Sequence, residues 1–230
     1  MVFLRQDNAS DAEDSISTRT LADMAQQWSL PVDFNGDSTF ILSGDRIYFM
    51  DGRNRLLAIN ATNGSIAWEH QAGLSSGPVL ASGNTAYIQH GSRILALDAA
   101  TGRTRWDYSA RGKPSGLSLS QGSLYALDPG GMAFSIDAAT GRTRWTSRSK
   151  VGSPSGDSVI CSGILFAGAK PASRTDESDT GLFGWDVATG ELVWRFPHKP
   201  REDGLGWKLI AGGDMFFAAY NADLLAFRAA

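Results

Sequence analysis

The side chains here best equipped for chemistry are three histidines (His70, His90 and His198), one cysteine (Cys161) and 24 carboxylates. Three converging imidazoles would suit zinc. They stand 20 and then 108 residues apart, which is no ligand spacing, so no metal site is assigned and His70, His90 and His198 remain weak metal candidates only. The single cysteine excludes an intrachain disulfide and any multi-cysteine centre. Its setting in Ser158-Val-Ile-Cys-Ser makes it a small buried strand residue. Serine, histidine and aspartate all occur, yet no nucleophile elbow links them. Glycoside hydrolysis would need two carboxylates about 5 to 10 Å apart, and the sequence alone singles out no such pair. No catalytic residue is therefore named.

Charge narrows the partners. With 21 Lys and Arg against 24 Asp and Glu, the net charge of −3 is opposite in sign to that of a nucleic-acid binder. No run approaches the roughly 18 apolar residues of a membrane span, so no direct membrane insertion is expected. Met1-Val-Phe-Leu is too short for a secretory h-region. Residues 1–20 are polar and acidic and cannot offset the entropy of ordering, which marks a flexible leader or linker before a single domain at 21–230.

Any site must be held by the elements that recur. Asp-Ala-Ala-Thr-Gly-Arg-Thr-Arg-Trp occurs verbatim at Asp98–Trp106 and Asp137–Trp145, with looser copies at Asn60–Trp68 and Asp186–Trp194. The acid or amide, the glycine and the tryptophan always fall four and then four residues apart. Successive tryptophans lie 38, 39 and 49 residues apart from Trp68 to Trp194, and Trp28 precedes Trp68 by 40. A period near 40 with several short strands per unit points to a propeller or β-repeat array. Four strands are expected in the second unit (78–82, 85–89, 93–98, 103–108) and again in the third (116–120, 123–127, 132–137, 142–147). Runs such as Ile94-Leu-Ala-Leu97 are apolar without alternation, as in strands covered on both faces.

The expected fold class is all-β: a β-propeller of four-stranded blades. A fifth unit provides three strands (207–211, 215–220, 223–227), and a lone outer-strand candidate stands at 25–30 around Trp28. Pairing them would complete a C-terminal blade and close a five-bladed ring, removing exposed edges.

The phrase Leu-Ala-Leu-Asp-Ala-Ala-Thr-Gly-Arg-Thr-Arg-Trp resembles the tryptophan-docking motif of pyrroloquinoline-quinone-like (quinoprotein-type) β-propeller repeats over roughly residues 25–227. The resemblance implies that Trp28, Trp68, Trp106, Trp145 and Trp194 dock each blade on its neighbour, with Gly64, Gly102, Gly141 and Gly190 as turn glycines. It also implies, for the enzymes of that family, a quinone stacked between a tryptophan and a disulfide of adjacent cysteines, with a metal held by Glu, Asn and Asp. This chain has one cysteine and five units where those enzymes use eight, so no cofactor is expected.

The remaining irregularities are loops. An insertion at 170–180 and a long connection at 196–206 leave the same face as the three histidines, and binding residues on rigid scaffolds concentrate in such loops. Lys170, Arg174, Asp176, His198, Lys199 and Arg201 form the candidate interaction face, for another protein or a small ligand. The expected role is a non-catalytic binding or scaffold propeller. Similar propellers form the sensor ends of bacterial membrane kinases and an outer-membrane-assembly lipoprotein. By that resemblance an extracytoplasmic sensor or interaction domain of a larger bacterial protein is favoured. The alternative is a small propeller enzyme, quinoprotein-type or glycosidase-like, acting at the axial funnel.

Overall fold

Short apolar runs between glycine turns make strands that are stable only when stacked on one another. The structure, a computed structural model, describes residues 25–34, 40–73, 79–171, 180–198, 206–220 and 223–228. Among these there is no helix, and 19 strands make five antiparallel sheets in chain order. The first sheet is β1 (Phe40–Ser43), β2 (Arg46–Met50), β3 (Arg55–Asn60) and β4 (Ile66–Gln71). The second is β5 (Leu80–Ser82), β6 (Thr85–His90), β7 (Arg93–Asp98) and β8 (Thr104–Ser109). The third is β9 (Ser115–Ser120), β10 (Ser123–Leu127), β11 (Met132–Asp137) and β12 (Thr143–Lys150). The fourth is β13 (Ser153–Cys161), β14 (Ile164–Lys170), β15 (Gly181–Asp186) and β16 (Leu192–Pro197). The last has three strands, β17 (Lys208–Gly212), β18 (Met215–Tyr220) and β19 (Asp223–Arg228).

Each sheet is a meander, and consecutive sheets bury apolar faces on one another. Tyr48, Met50, Leu56 and Ala58 of the first meet Ile88, Leu95 and Leu97 of the second. Equivalent clusters join the second to the third, the third to the fourth and the fourth to the fifth. The middle of β7 is buried throughout, as its unalternating apolar run requires. Near the sheets' inner edges β9 packs along β13 and β13 along β17. Ser118 Oγ donates to Ser158 O at 3.0 Å, and Gly156 forms a parallel bridge to Trp207.

The expected pairing of residues 25–30 with β19 is not formed. Residues 25–34 carry no strand, and β19 has β18 as its one strand partner among the described residues. The segment is instead bound to the first sheet. Trp28 and Leu30 pack on Phe49, Leu57 and Ile59, Gly52 N donates to Asp33 O at 2.6 Å, and Arg53 pairs with Asp33 at 2.7 Å. The leader at 1–20 lies outside the described residues, as does most of the fourth-sheet insertion.

Candidate functional site

The repeated phrase folds as one turn written four times. Asp98 O accepts from Gly102 N at 2.8 Å, while Asp98 Oδ1 accepts from Ala100 N, Thr101 N and Thr101 Oγ1. Asp137 and Asp186 bind their turns in the same way, and Asn60 Oδ1 accepts from Thr62 N and Asn63 N. A side-chain oxygen two residues back from an amide is the usual Asx arrangement.

After the turn the outer strand carries a bulge. Trp106 pairs with Ala96 and Thr104 with Leu97, so Arg105 is the extra residue. A bulge re-aims its side chain. Arg105 reaches back to Asp98 Oδ2 at 2.6 Å and to Thr85 Oγ1 at 3.2 Å, and Arg144 reaches Asp137 Oδ2 at 2.6 Å. The Arg105 and Thr101 bonds hold the Asp98 carboxyl down to about 2. Thr140 and then Arg144 depress Asp137, and the Thr189 amide and hydroxyl depress Asp186. In the first and fourth sheets the bulge residues are Ala67 and Val193, so this clamp belongs to the two verbatim copies.

The tryptophans face the other way, onto the next sheet. Trp28 Nε1 donates to Ala61 O at 2.9 Å, Trp68 to Ala99 O at 2.8 Å, Trp106 to Ala138 O at 3.0 Å and Trp145 to Val187 O at 2.9 Å. Each indole lies on a turn glycine. A Cβ added at Gly64, Gly102, Gly141 or Gly190 would stand 2.6, 2.7, 2.8 or 2.5 Å from the ring. Beside three of these indoles sits a tyrosine, with Tyr48–Trp68, Tyr87–Trp106 and Tyr125–Trp145 ring centroids 5.9 to 6.0 Å apart. Trp194 instead joins Phe166, Phe196, Phe216 and Phe227 between the last two sheets.

The opposite end of the sheets carries the loop residues. Register places Lys170, at the end of β14, opposite Ser153, and His198 N donates to Thr180 O at 3.4 Å just beyond β16. Lys170 and His198 therefore share one end of the fourth sheet. Arg174, Asp176, Lys199 and Arg201 lie outside the described residues. Beneath His198 is an aromatic floor, with ring centroids 5.3 Å from Trp207, 5.7 Å from Tyr220 and 6.4 Å from Phe196. Trp207 is 1% exposed and presses on Gly168, where an added Cβ would meet its ring at 2.0 Å. Sequence reasoning missed Trp207, because it falls off the regular tryptophan spacing, and missed the arginine clamp, because a bulge cannot be read from residue types.

The three histidines are not gathered. His70 and His90 lie at the first and second sheets, near enough that His90 adds to the burial that lowers the His70 pKa, while His198 stands at the fourth sheet with its aromatic neighbours. Among the described residues no group of three or more His, Cys, Asp or Glu is placed to hold a metal. Cys161 is a buried free thiol, its Sγ 3.6 Å from Gly213 O. A small cleft of about 40 Å³ between the second and third sheets is lined by Tyr108, Ala110, Arg111, Asp128, Phe134 and Thr146. Its carboxylate, Asp128, accepts from Met132 N at 3.0 Å.

Residues 21–196 match the family of the outer membrane protein assembly factor BamB. The chain belongs to that family. No curated protein matches it significantly in sequence. Among solved structures, BamB from Moraxella catarrhalis superposes with a TM-score of 0.61 at 18% identity, covering 83% of this chain and 60% of that one. The quinohemoprotein alcohol dehydrogenase of Comamonas testosteroni gives 0.62 at 15% identity, covering 94% of this chain and 46% of that one. The quinohemoprotein alcohol dehydrogenase ADHIIG of Pseudomonas putida HK5 gives 0.61 at 15%, covering 82% and 37%. At these identities the likeness is one of fold, the PQQ-like repeat propeller. The chain spans 60% of the length of the BamB structure it matches.

Proposed function

We propose that this member of the BamB family is a non-catalytic scaffold propeller. On this reading the five sheets are five blades of one domain at 21–230, and other proteins bind at the loop end carrying Lys170 and His198. The observation that carries this is the use made of the repeated polar residues. Both carboxylate oxygens of Asp98 are engaged by its own turn and by Arg105, and the docked indoles have their N–H groups bound and their rings covered. Groups held in this way maintain architecture, and the family's description as an assembly factor fits a surface that gathers proteins. At the end away from the docking turns Lys170 is exposed, and His198 lies on the packed rings of Trp207 and Tyr220. An extracytoplasmic sensor or interaction domain of a larger bacterial protein is the setting that agrees with this role.

The likeness to quinohemoprotein dehydrogenases supports a second reading, an enzyme acting at the axial funnel. The residues present do not fit the quinone stack that the resemblance implies. One cysteine cannot form a disulfide of adjacent cysteines, and Trp68, Trp106 and Trp145 lie against glycine turns of the next sheet. Isothermal titration with the quinone and calcium separates the readings, since heat of binding would favour the enzyme.

For the scaffold, the test is crosslinking in extracts of the source cells with Arg174, His198 and Arg201 replaced together by glutamate or alanine. A Glu191→Lys variant, at the docking-turn end of the same sheet, is the control. Loss of the crosslinked partners in the first and retention in the second is expected. Equal retention in both would remove this face from consideration.

A further inference from the structure

The turn that joins β10 to β11 is built like the one that joins β2 to β3. Asp51 N donates to Arg55 O at 2.9 Å, and Asp128 N donates to Met132 O at 2.9 Å. Asp51 Oδ1 accepts from Arg55 N at 2.8 Å, and Asp128 Oδ1 accepts from Met132 N at 3.0 Å. Asp51-Gly-Arg-Asn-Arg55 and Asp128-Pro-Gly-Gly-Met132 are thus two copies of one turn, headed by aspartates that are 3% and 8% exposed. The copies differ at the second carboxylate oxygen. Asp51 Oδ2 receives the guanidinium of Arg55, from Nε at 2.9 Å and from a terminal nitrogen at 2.8 Å. Met132 stands in the place of Arg55 and brings no charge, so Asp128 Oδ2 has no hydrogen-bond or ionic partner among the described residues. Burying a charge is costly unless it is paired and hydrogen-bonded.

Asp128 lines the cleft between the second and third sheets, whose wall includes the stacked rings of Tyr108 and Phe134, with centroids 5.7 Å apart. Arg111 lines the same cleft and is exposed. Arg55, Arg93, Arg105 and Arg144 are each held by a carboxylate, whereas Arg111 has no ion pair among the described residues, nor has Lys150 beside Gly130. A carboxylate and a guanidinium that share a cleft without pairing can each take the opposite charge of one small molecule. A water-sized group needs about 10 to 15 Å³, so the cleft of about 40 Å³ admits the tip of a ligand whose remainder lies over the open mouth.

We propose that this cleft binds a small zwitterion, an amino or guanidino acid. Its cationic nitrogen occupies, at Asp128 Oδ2, the place that Arg55 fills at Asp51. Its carboxylate takes the Arg111 guanidinium, a fork suited to two parallel N–H···O bonds. The carbon chain between them lies on the Tyr108 ring. The site is separate from the protein-binding face at Lys170 and His198 and does not depend on it.

Isothermal titration of the full chain with glycine and with guanidinoacetate tests this. At least one of them binds more tightly than about 1 mM, as two charge-assisted contacts permit. Methylammonium, methylguanidinium and acetate each carry half of the recognition and bind at least about tenfold more weakly. Asp128→Asn keeps an acceptor for Met132 N and loses the charge, and it and Arg111→Ala each weaken binding at least about tenfold. Met132→Arg installs on Asp128 the guanidinium that Asp51 already has, so it abolishes binding and raises the urea midpoint of the chain. A wild-type chain that gives no heat with either zwitterion at about 10 mM overturns the proposal, and a Lys150 ammonium folded onto Asp128 would produce that result. Binding that survives Met132→Arg overturns it too, as do half-molecules that bind as well as the whole.

Discussion

Replacing Gly141 with alanine separates the two demands that the docking turn makes on its glycine. Gly141 has φ +72°, and an added Cβ would stand 2.8 Å from the Trp106 ring. Gly122 has the same φ of +72°, but nothing lies within 4 Å of its Cβ position. Alanine at Gly122 therefore meets only the backbone penalty of a left-handed residue, about 1 to 2 kcal/mol. At Gly141 the same penalty is joined by overpacking of about 1 to 3 kcal/mol. Displacing the indole also weakens its 3.0 Å bond to Ala138 O, a further net loss of about 1 kcal/mol. The expected destabilisation is thus about 3 to 6 kcal/mol for Gly141→Ala, and about 2 to 4 kcal/mol more than for Gly122→Ala. Urea unfolding followed by far-ultraviolet circular dichroism gives both values, and tryptophan emission should redden in the first variant alone. Equal losses in the two variants would refute the docking argument and leave turn conformation as the whole reason for the glycine.

Other outcomes follow from the same contacts. Asp98 has its pKa lowered from 3.8 to about 2, so its contribution to stability is present above about pH 4 and disappears as pH falls through 2. The urea midpoints of the wild type and Asp98→Asn should accordingly converge over that interval, and a constant gap would contradict the assignment. Arg105→Ala removes a partly exposed ion pair and should cost no more than about 1 kcal/mol in the same assay. Gly168→Ala puts a Cβ at 2.0 Å from Trp207 and should loosen the last sheet from the fourth, seen as faster amide exchange in β17 and β18 with the first three sheets unchanged. Cys161, 4% exposed, should react with a thiol reagent only at the rate of unfolding, and prompt reaction in native buffer would show that its strand is not packed as described.

Much of the architecture was legible because the repeat is a ruler. Apolar runs between glycines located the strands of the second and third sheets to within three residues, with β7 expected at 93–98 and found there. Tryptophan spacing divided the chain into its sheets. What escaped depended on contacts between segments far apart in sequence. Residues 25–30 have the composition of an outer strand and Trp28 docks as one, yet they carry no strand, and whether such a segment pairs depends on a partner edge that composition does not reveal. Trp207 has no repeat position, so its role under His198 emerged only from the packing of Gly156 and Gly168. The loop end was legible as a face because topology sends every second connection the same way, and register brings Lys170 and His198 to one end.

The verbatim phrase also bears on how such a molecule changes length. Trp106 and Trp145 end identical nine-residue segments, and 39 residues separate them. Excising residues 107–145 would join Trp106 to Thr146 in the same outer-strand context, and Trp106 would meet the Gly190 turn that Trp145 now covers. The junction left behind has the same residues and the same bonds as the one removed. Recombination between the two copies would therefore remove or add 39 residues in frame and restore the repeated phrase at the join, so a unit could be lost or gained without breaking the docking turn.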